Sequence, residues 1–160
     1  MFVQAGMASF MFERARDKFD KIRSFDIDSS CASVADNMNR PWVMDGWQFK
    51  ASTLDILDME YPTTHTTYRA DGSSLQLTEM PDTIINTSCE HIKNFADWYA
   101  KIPSGKMVIL QSNNYYEIKE HVNCVKDIYE FKDMAPMNEL HYTGQKEMSK
   151  YTRFMLIGRK

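Results

Sequence analysis

Glycine, proline and cysteine are all scarce in this sequence. Its 160 residues include 6 Gly, 5 Pro and 3 Cys, whereas 43% are hydrophobic and 26% are charged. The low Gly and Pro content excludes a collagen-like chain and argues against extended disorder. A chain of this length can bury a full hydrophobic core without disulfides or metal staples. We therefore expect one compact domain that spans residues 1–160.

Cysteine and histidine patterns typical of disulfide or metal sites are also missing. Cys31, Cys89 and Cys124 are an odd number and show no C-x-x-C spacing, so the sequence predicts neither a disulfide framework nor a zinc ribbon. His121 and His141 have no partners at ligand spacing. The sequence therefore predicts three reduced thiols and no metal site.

Long apolar runs and an excess of positive charge are absent as well. No apolar stretch approaches the ~20 residues of a membrane span, and the first charged residue, Glu13, comes too early for a secretory signal. The 19 Lys and Arg residues against 22 Asp and Glu residues leave a net charge of −3, which provides no sequence-wide attraction to nucleic acid. We expect a cytoplasmic protein that binds a small molecule rather than a membrane or nucleic acid.

Strand-like and helix-like patterns alternate along the chain. This alternation predicts an α/β fold with a doubly wound, mostly parallel sheet and helices on both faces. The last two strands are so close in sequence that only an antiparallel hairpin can join them. The polar segment 61–74 contains the turn signal Asp71-Gly72 and predicts a loop, long enough for a lid or binding element. The predicted strands are seven, at 1–3, 22–28, 47–54, 82–87, 106–111, 139–147 and 151–158.

Ligands of such sheets bind beyond the carboxyl ends of the strands. The first strand is followed by Ala5-Gly6-Met7. A glycine there lets the backbone approach a ligand closely, and the N-terminus of the next helix favours polar or negative groups. The alternative is that Gly6 is needed only for a tight turn and that the loop has no role in ligand binding.

Acidic residues follow the second and third predicted strands. Asp26 lies twenty residues after Gly6, close to the ~20-residue offset at which an acid binds a ribose diol in nucleoside-binding folds. Asp28 is better explained as a helix-start residue. In Leu54-Asp55-Ile56 a carboxylate can accept from an exocyclic amine while the isoleucine contacts a purine face. Asp58 is the rival acid.

The segment after the fourth strand carries the most varied chemistry, in Asn86-Thr87-Ser88-Cys89-Glu90-His91. We predict that Ser88 and Cys89 contact the substrate and that His91 is the catalytic base, because imidazole titrates near neutral pH. The alternative for His91 is a cap or a bond to backbone, and for Cys89 a packed thiol. Glu90 either orients His91 or caps the helix.

The loop after the fifth strand contains Asn113 and Tyr115. Both side chains can orient a polar substrate at the same edge of the sheet. A surface loop at this position is polar in any case.

Taken in order, these segments resemble the motifs of class I S-adenosylmethionine-dependent methyltransferases, whose fold is Rossmann-like. The resemblance implies the strand order 3-2-1-4-5-7-6 and S-adenosyl-L-methionine as cofactor. The matching motifs are the glycine-containing loop, Ser24-Phe25-Asp26-Ile27-Asp28, Thr53-Leu54-Asp55-Ile56, Asp82-Thr83-Ile84-Ile85-Asn86, Glu90-His91 and Ile102-Pro103-Ser104-Gly105-Lys106.

The resemblance also implies roles for single residues. It assigns the methionine part of the cofactor to Ala5, Gly6 and Met7 and the ribose hydroxyls to Asp26. It assigns the adenine amine to Asp55, with Ile27 and Ile56 beside the ring and Leu54 adjoining them. It places Asn86 and Thr87 near the sulfonium.

The function implied by the resemblance is methyl transfer to a small or metabolite-like acceptor. The first loop has one glycine where the family usually has two or three, and no helices precede the first strand. The chain therefore resembles a minimal or N-terminally truncated member. Two alternatives stay open: a non-catalytic or partner-dependent cofactor-binding protein, and an enzyme that cleaves the cofactor. A site without N-terminal cover also predicts a homodimer, or closure by the 61–74 segment.

Overall fold

The structure, a computed structural model, describes residues 11, 13, 14 and 19–160. The chain divides into two compact units, 1–79 and 80–160. The predicted first strand and the glycine loop with Ala5, Gly6 and Met7 lie outside the described residues.

The first unit is built on two parallel strands. Strand β1 (Ile22–Asp26) pairs with β2 (Phe49–Thr53), and the helices α1 (Ser29–Met38) and α2 (Arg40–Met44) connect them. The register runs from Ile22 opposite Phe49 to Asp26 opposite Thr53. Both strands therefore end at the same edge of the pair.

Two aspartates hold α1 in place. Asp28 caps the N-terminus of the helix, because its Oδ1 accepts from the Ser30 backbone N–H at 2.9 Å and from the Ser30 hydroxyl at 2.8 Å. Further along the helix, Asp36 accepts from the backbone N–H of Ala51 at 2.9 Å and forms an ion pair with Lys50. An ion pair and a hydrogen bond to a backbone N–H thus hold α1 against β2.

A β-hairpin occupies the segment predicted as a loop. Strands β3 (Thr63–Tyr68) and β4 (Ser74–Glu79) pair antiparallel, and Gly72 lies in their turn with φ +82°. The loop prediction for 61–74 is therefore wrong. The buried positions of β3 carry Thr63, His65 and Thr67, so the strand alternates in burial but not in hydropathy, and its sequence looks like a polar loop.

Hydrogen bonds and an ion pair connect this hairpin to β1 and β2. The His65 ring lies 3.0 Å from Ser52 Oγ and 3.4 Å from Glu79 Oε2. Arg23 donates to both oxygens of Glu79, from Nε at 2.6 Å and from Nη2 at 2.8 Å. The carboxylate of Glu79 only accepts, so His65 donates to it from Nε2 and accepts the Ser52 hydroxyl at Nδ1.

The ionisation of this network follows from its burial and pairing. Burial lowers the pKa of His65 and outweighs the neighbouring Glu79, which raises it. Burial also opposes ionisation of Glu79, but the hydrogen bonds and charges of Arg23 and His65 together lower the pKa of Glu79. At neutral pH the network contains a neutral imidazole and an ionised carboxylate.

The second unit contains a mixed sheet. Its strands are β5 (Thr83–Asn86), β6 (Met107–Asn113), β7 (Glu139–Glu147) and β8 (Thr152–Arg159), in the order β5-β6-β8-β7. The β5–β6 pair is parallel, whereas β6–β8 and β7–β8 are antiparallel. As in the first unit, two parallel strands end at one edge.

Two short helices, α3 (Phe95–Lys101) and α4 (Ile128–Met134), complete the second unit. They contribute large buried side chains to its core, and the sheet contributes branched aliphatic ones. The fully buried side chains of this unit include Trp98, Ile102, Phe131, Ile84, Val108, Leu110 and Leu156.

The predicted single sheet of seven strands is wrong. The described residues form three separate sheets of 2, 2 and 4 strands. Within the part of the chain that the structure describes, no doubly wound sheet with the order 3-2-1-4-5-7-6 and helices on both faces is present. Two physical features account for the difference: β3 pairs with β4 in a local hairpin, and parallel pairing between strands in residues 19–160 is limited to β1–β2 and β5–β6. Among the described residues, no helix is long and apolar enough to cross a membrane.

The buried His65 predicts how stability depends on pH. Its pKa is lower in the folded protein than the usual 6.5. As pH falls through that value, His65 therefore takes up a proton in the unfolded chain before it does so in the folded protein. The free energy of unfolding should therefore fall as pH is lowered from 7 to 5.5, with a slope due to His65 of at most ~1.4 kcal/mol per pH unit. Urea unfolding at several pH values measures this slope.

The His65→Gln variant should show a smaller slope over the same range, and the exposed His141→Gln serves as the control with the slope of the unchanged protein. Equal slopes in all three proteins would contradict this assignment. Glu79 contributes below this range, because its lowered pKa makes its stabilisation fall away only under more acidic conditions.

Candidate functional site

Two acids lie at the carboxyl edge of β1 and β2. Asp26 is the last residue of β1 and faces Thr53, the last residue of β2. The backbone continues the pairing one step further, since the Leu54 N–H donates to the Asp26 carbonyl at 2.9 Å. Asp55 follows immediately, so the parallel pairing brings Asp26 and Asp55 to one edge.

The side chain of Asp26 is half-buried and shapes its own turn. Its Oδ1 accepts from the Asp28 backbone N–H at 2.9 Å. Next to it, Ile27 is 67% exposed. A carboxylate with an exposed apolar neighbour matches what a nucleoside needs from a protein surface: hydrogen-bond acceptors for its hydroxyls and an apolar contact for its base.

Asp55 begins a 3-10 turn over Ile56–Asp58. Its Oδ1 accepts from the Leu57 backbone N–H at 2.9 Å. Leu54 and Ile56 beside it are half-buried, whereas the rival acid Asp58 is exposed. Asp55 is thus the acid held at a defined position by the turn.

Asp28 has a structural role that separates it from Asp26. The hydrogen bonds from the backbone and hydroxyl of Ser30 lower the pKa of Asp28. A carboxylate used in this way stabilises the first turn of α1 through the exposed N–H groups and the helix dipole. Asp26 and Asp28 are two residues apart in sequence and have different partners. Asp28 accepts hydrogen bonds from Ser30, whereas Asp26 accepts one from the backbone of Asp28.

The second unit has a similar edge at the ends of β5 and β6. Asn86 ends β5, and its Oδ1 accepts from the Ser88 backbone N–H at 3.0 Å. Asn113 ends β6, and its Oδ1 accepts from the Tyr115 backbone N–H at 2.9 Å. Both asparagines are buried. Each strand therefore ends in the same type of side-chain turn, which directs the following residues along this edge.

The turn Cys89–His91 follows β5 directly. Cys89 is fully buried, with its Sγ 3.6 Å from the Asn86 carbonyl oxygen. Burial, and then the charge of Glu90, raise the pKa of this thiol well above its usual value. Cys89 is therefore a protonated thiol at neutral pH, without the reactivity of a nucleophile.

Glu90 is a buried carboxylate with weak pairing. The residue is 2% exposed. Its Oε1 lies 4.0 Å from Arg153 Nη2, and its Oε2 has no hydrogen-bond partner among the described residues. Arg153 itself is directed mainly at Gln111, to which Nη1 donates at 3.2 Å.

His91 lies at the exposed end of the same turn. Its Nδ1 is 3.1 Å from the Glu120 carbonyl oxygen, and its ring meets the edge of the His121 ring at 4.7 Å between centroids. The His121 Nδ1 is 2.7 Å from the Tyr115 carbonyl oxygen. The loop after β6 therefore positions both imidazoles.

The structure brings together residues that the sequence pattern does not connect. His121 lies thirty positions after His91, so no local spacing indicates that the two rings touch. Tyr115, expected to orient an acceptor, stacks on Tyr151 at 5.2 Å between ring centroids and supports His121 through its carbonyl group. The binding and catalytic roles expected for the individual residues stay predictions.

Comparison with known proteins gives a likeness in fold. The crystal structure of the N-methyltransferase NodS from Bradyrhizobium japonicum WM9 aligns with 88% of this chain and 73% of its own, at a TM-score of 0.54 and 11% sequence identity. No family model and no curated protein matches the sequence. The chain is thus similar to a methyltransferase in fold, at a sequence identity too low to carry over individual residues.

Proposed function

We propose that this protein transfers the methyl group of S-adenosyl-L-methionine to a small-molecule or metabolite-like acceptor. The observation that carries the proposal is the pair of acids at the edge of β1 and β2, with Asp26 opposite Thr53 and Asp55 two residues beyond it. The likeness in fold to an N-methyltransferase supports methyl transfer as the reaction.

The adenosine part of the cofactor suits the edge of the first unit. The Asp26 carboxylate has acceptor capacity for two vicinal ribose hydroxyls, which are both donors. Asp55 accepts from the adenine amine, and the exposed Ile27 covers an apolar face of the ring. Burial of that face would remove Ile27 from water, where it is 67% exposed.

The reaction itself needs little covalent participation by the protein. A nucleophilic nitrogen or oxygen of the acceptor bonds to the methyl carbon while the S–CH₃ electron pair returns to sulfur, and S-adenosylhomocysteine leaves. A protic acceptor also loses one proton. Catalysis is then mainly the alignment of acceptor, methyl carbon and sulfur, together with removal of that proton.

We assign removal of the acceptor's proton to the side chain of His91. Its Nδ1 faces the Glu120 carbonyl oxygen at 3.1 Å, and a carbonyl only accepts, so the neutral ring has its hydrogen on Nδ1 and its lone pair on Nε2. Ser88, on the same turn, supplies a hydroxyl for the acceptor.

Incubation with S-adenosylmethionine labelled at the methyl group tests the proposal. We expect S-adenosylhomocysteine to form only when a panel of amine, hydroxyl and carboxylate acceptors is added. Breakdown of the cofactor without any acceptor would favour a cofactor-cleaving enzyme. Binding without turnover by any acceptor would favour a non-catalytic or partner-dependent protein, and either result would contradict the proposal.

A matched pair of variants tests the cofactor contacts. Asp26→Ala should weaken S-adenosylmethionine binding by about 1.5–3 kcal/mol, roughly tenfold to a hundredfold in affinity, because it removes charge-assisted bonds to the ribose. Asp28→Ala should leave the affinity unchanged and lower the melting temperature, because it removes the cap of α1. Calorimetric titration and thermal unfolding measure the two effects, and the reverse order of affinities would remove the ribose assignment.

A further inference from the structure

Three side chains of the second unit converge although they come from two separate segments. Glu90 and His91 belong to the turn after β5, and His121 to the loop after β6. One potential ligand atom from each lies within 4.8 Å of the others. Two ligands at about 2.1 Å from one ion are at most ~4.2 Å apart. The convergence is therefore within about 1 Å of a coordination shell.

The state of Glu90 is the second, independent observation. A buried carboxylate is costly unless it is paired and hydrogen-bonded. Here the side chain is 3% exposed, its Oε1 has only Arg153 at 4.0 Å, and its Oε2 has no hydrogen-bond partner among the described residues. A cation bound at Oε2 would supply the missing partner, while Arg153 stays on the side of Oε1.

The two histidines are held in the tautomer that leaves Nε2 free to bind a metal ion. The Nδ1 atoms of His91 and His121 lie 3.1 Å and 2.7 Å from the carbonyl oxygens of Glu120 and Tyr115. Because a carbonyl oxygen only accepts, each Nδ1 bears the hydrogen and each Nε2 keeps its lone pair. Metal-bound histidines use the same arrangement, in which a backbone carbonyl orients the ring from the second nitrogen.

The ligand types select the class of ion. Two imidazole nitrogens and one carboxylate oxygen suit first-row transition metals such as Zn²⁺, whereas Mg²⁺ and Ca²⁺ prefer oxygen ligands throughout. Three protein ligands leave at least one coordination position for water or another small molecule, as in catalytic rather than structural zinc sites.

We propose that Glu90, His91 and His121 form a binding site for one divalent transition-metal ion, with Zn²⁺ as the representative ion. The site stands on the geometry of the second unit and does not depend on S-adenosylmethionine. Its use in catalysis rests on the proposed function: an ion with an open position can bind the acceptor and favour loss of its proton. In the metal-free chain the His91 Nε2 lone pair is free to take the proton of the acceptor. With an ion bound, His91 would be a ligand and the ion would favour loss of that proton in its place.

Metal titration of the purified chain tests the site without any cofactor or acceptor. After treatment with a chelator and dialysis, Zn²⁺ should bind with one equivalent and a dissociation constant in the micromolar range or below, measured by calorimetry. Co²⁺ should give visible absorption bands typical of nitrogen and oxygen ligands at low coordination number. Mg²⁺ should not compete at equal concentration, and tighter binding of Mg²⁺ than of Zn²⁺ would overturn the assignment.

Single variants locate the ion. Glu90→Gln and His121→Ala should each weaken Zn²⁺ binding at least about tenfold and abolish the Co²⁺ bands. The control is His141→Ala on the exposed strand β7, which should bind Zn²⁺ like the unchanged protein. Circular dichroism without metal establishes that each variant is folded, and His121→Ala keeps the test valid where the buried Glu90→Gln does not fold.

The absence of stoichiometric Zn²⁺ binding, or an equal loss of affinity in the control His141→Ala, would overturn the proposal. This result differs from a failure of the proposed function. A chain that transfers methyl groups but binds no Zn²⁺ contradicts only the metal site. A chain that binds Zn²⁺ with one equivalent but has no affinity for S-adenosylmethionine contradicts only the proposed function.

Discussion

Parallel pairing of strands that are distant in sequence is the constraint on which both candidate sites depend. In the first unit the β1–β2 pair brings Asp26 and Asp55 to one edge, and in the second unit the β5–β6 pair does the same for the segments that carry His91 and His121. Because parallel strands need long connections, each edge collects side chains that are about thirty residues apart. The chemistry of the protein therefore follows from pairing and not from local motifs alone.

The two edges use their carboxylates in different ways. In the first unit three acids are matched: Asp28 caps a helix, Asp36 binds Lys50, and Glu79 binds Arg23 at two positions. Such pairing offsets the cost of removing charge from water. Glu90 in the second unit is more deeply buried than these acids and has much weaker pairing, and this difference separates a carboxylate that stabilises the fold from one available to a ligand.

Much of the secondary structure can be predicted from the sequence, because its elements have strong local signals. The predicted strands at 82–87 and 106–111 correspond to β5 and β6, and Asp28, interpreted from the sequence as a helix-start residue, is the N-cap of α1. The arrangement of strands into sheets could not be predicted in the same way. The polar inner face of β3, with His65 bonded to Ser52, provides no hydropathy signal. The sequence pattern therefore predicts a loop where the structure has a local hairpin, and the predicted single sheet of seven strands is wrong.

Some residues of the candidate sites can be predicted from the sequence, and others cannot. Asp26, Asp55 and Glu90-His91 follow strands directly, so their position at an edge can be inferred from strand signals and the rule for α/β sheets. His121 could not be inferred, because its contact with His91 depends on the course of the loop after β6 and on hydrogen bonds to backbone carbonyls. Sequence spacing contains no information about such contacts.

The proposed function requires that the carboxyl edge of β1 and β2 binds the adenosine part of S-adenosylmethionine. A crystal structure with bound S-adenosylhomocysteine tests this requirement. We expect both ribose hydroxyls within hydrogen-bond distance of the Asp26 carboxylate, about 2.5–3.0 Å, and the adenine amine at Asp55. A nucleoside bound away from both carboxylates, or no binding at concentrations that saturate ordinary cofactor sites, would contradict it.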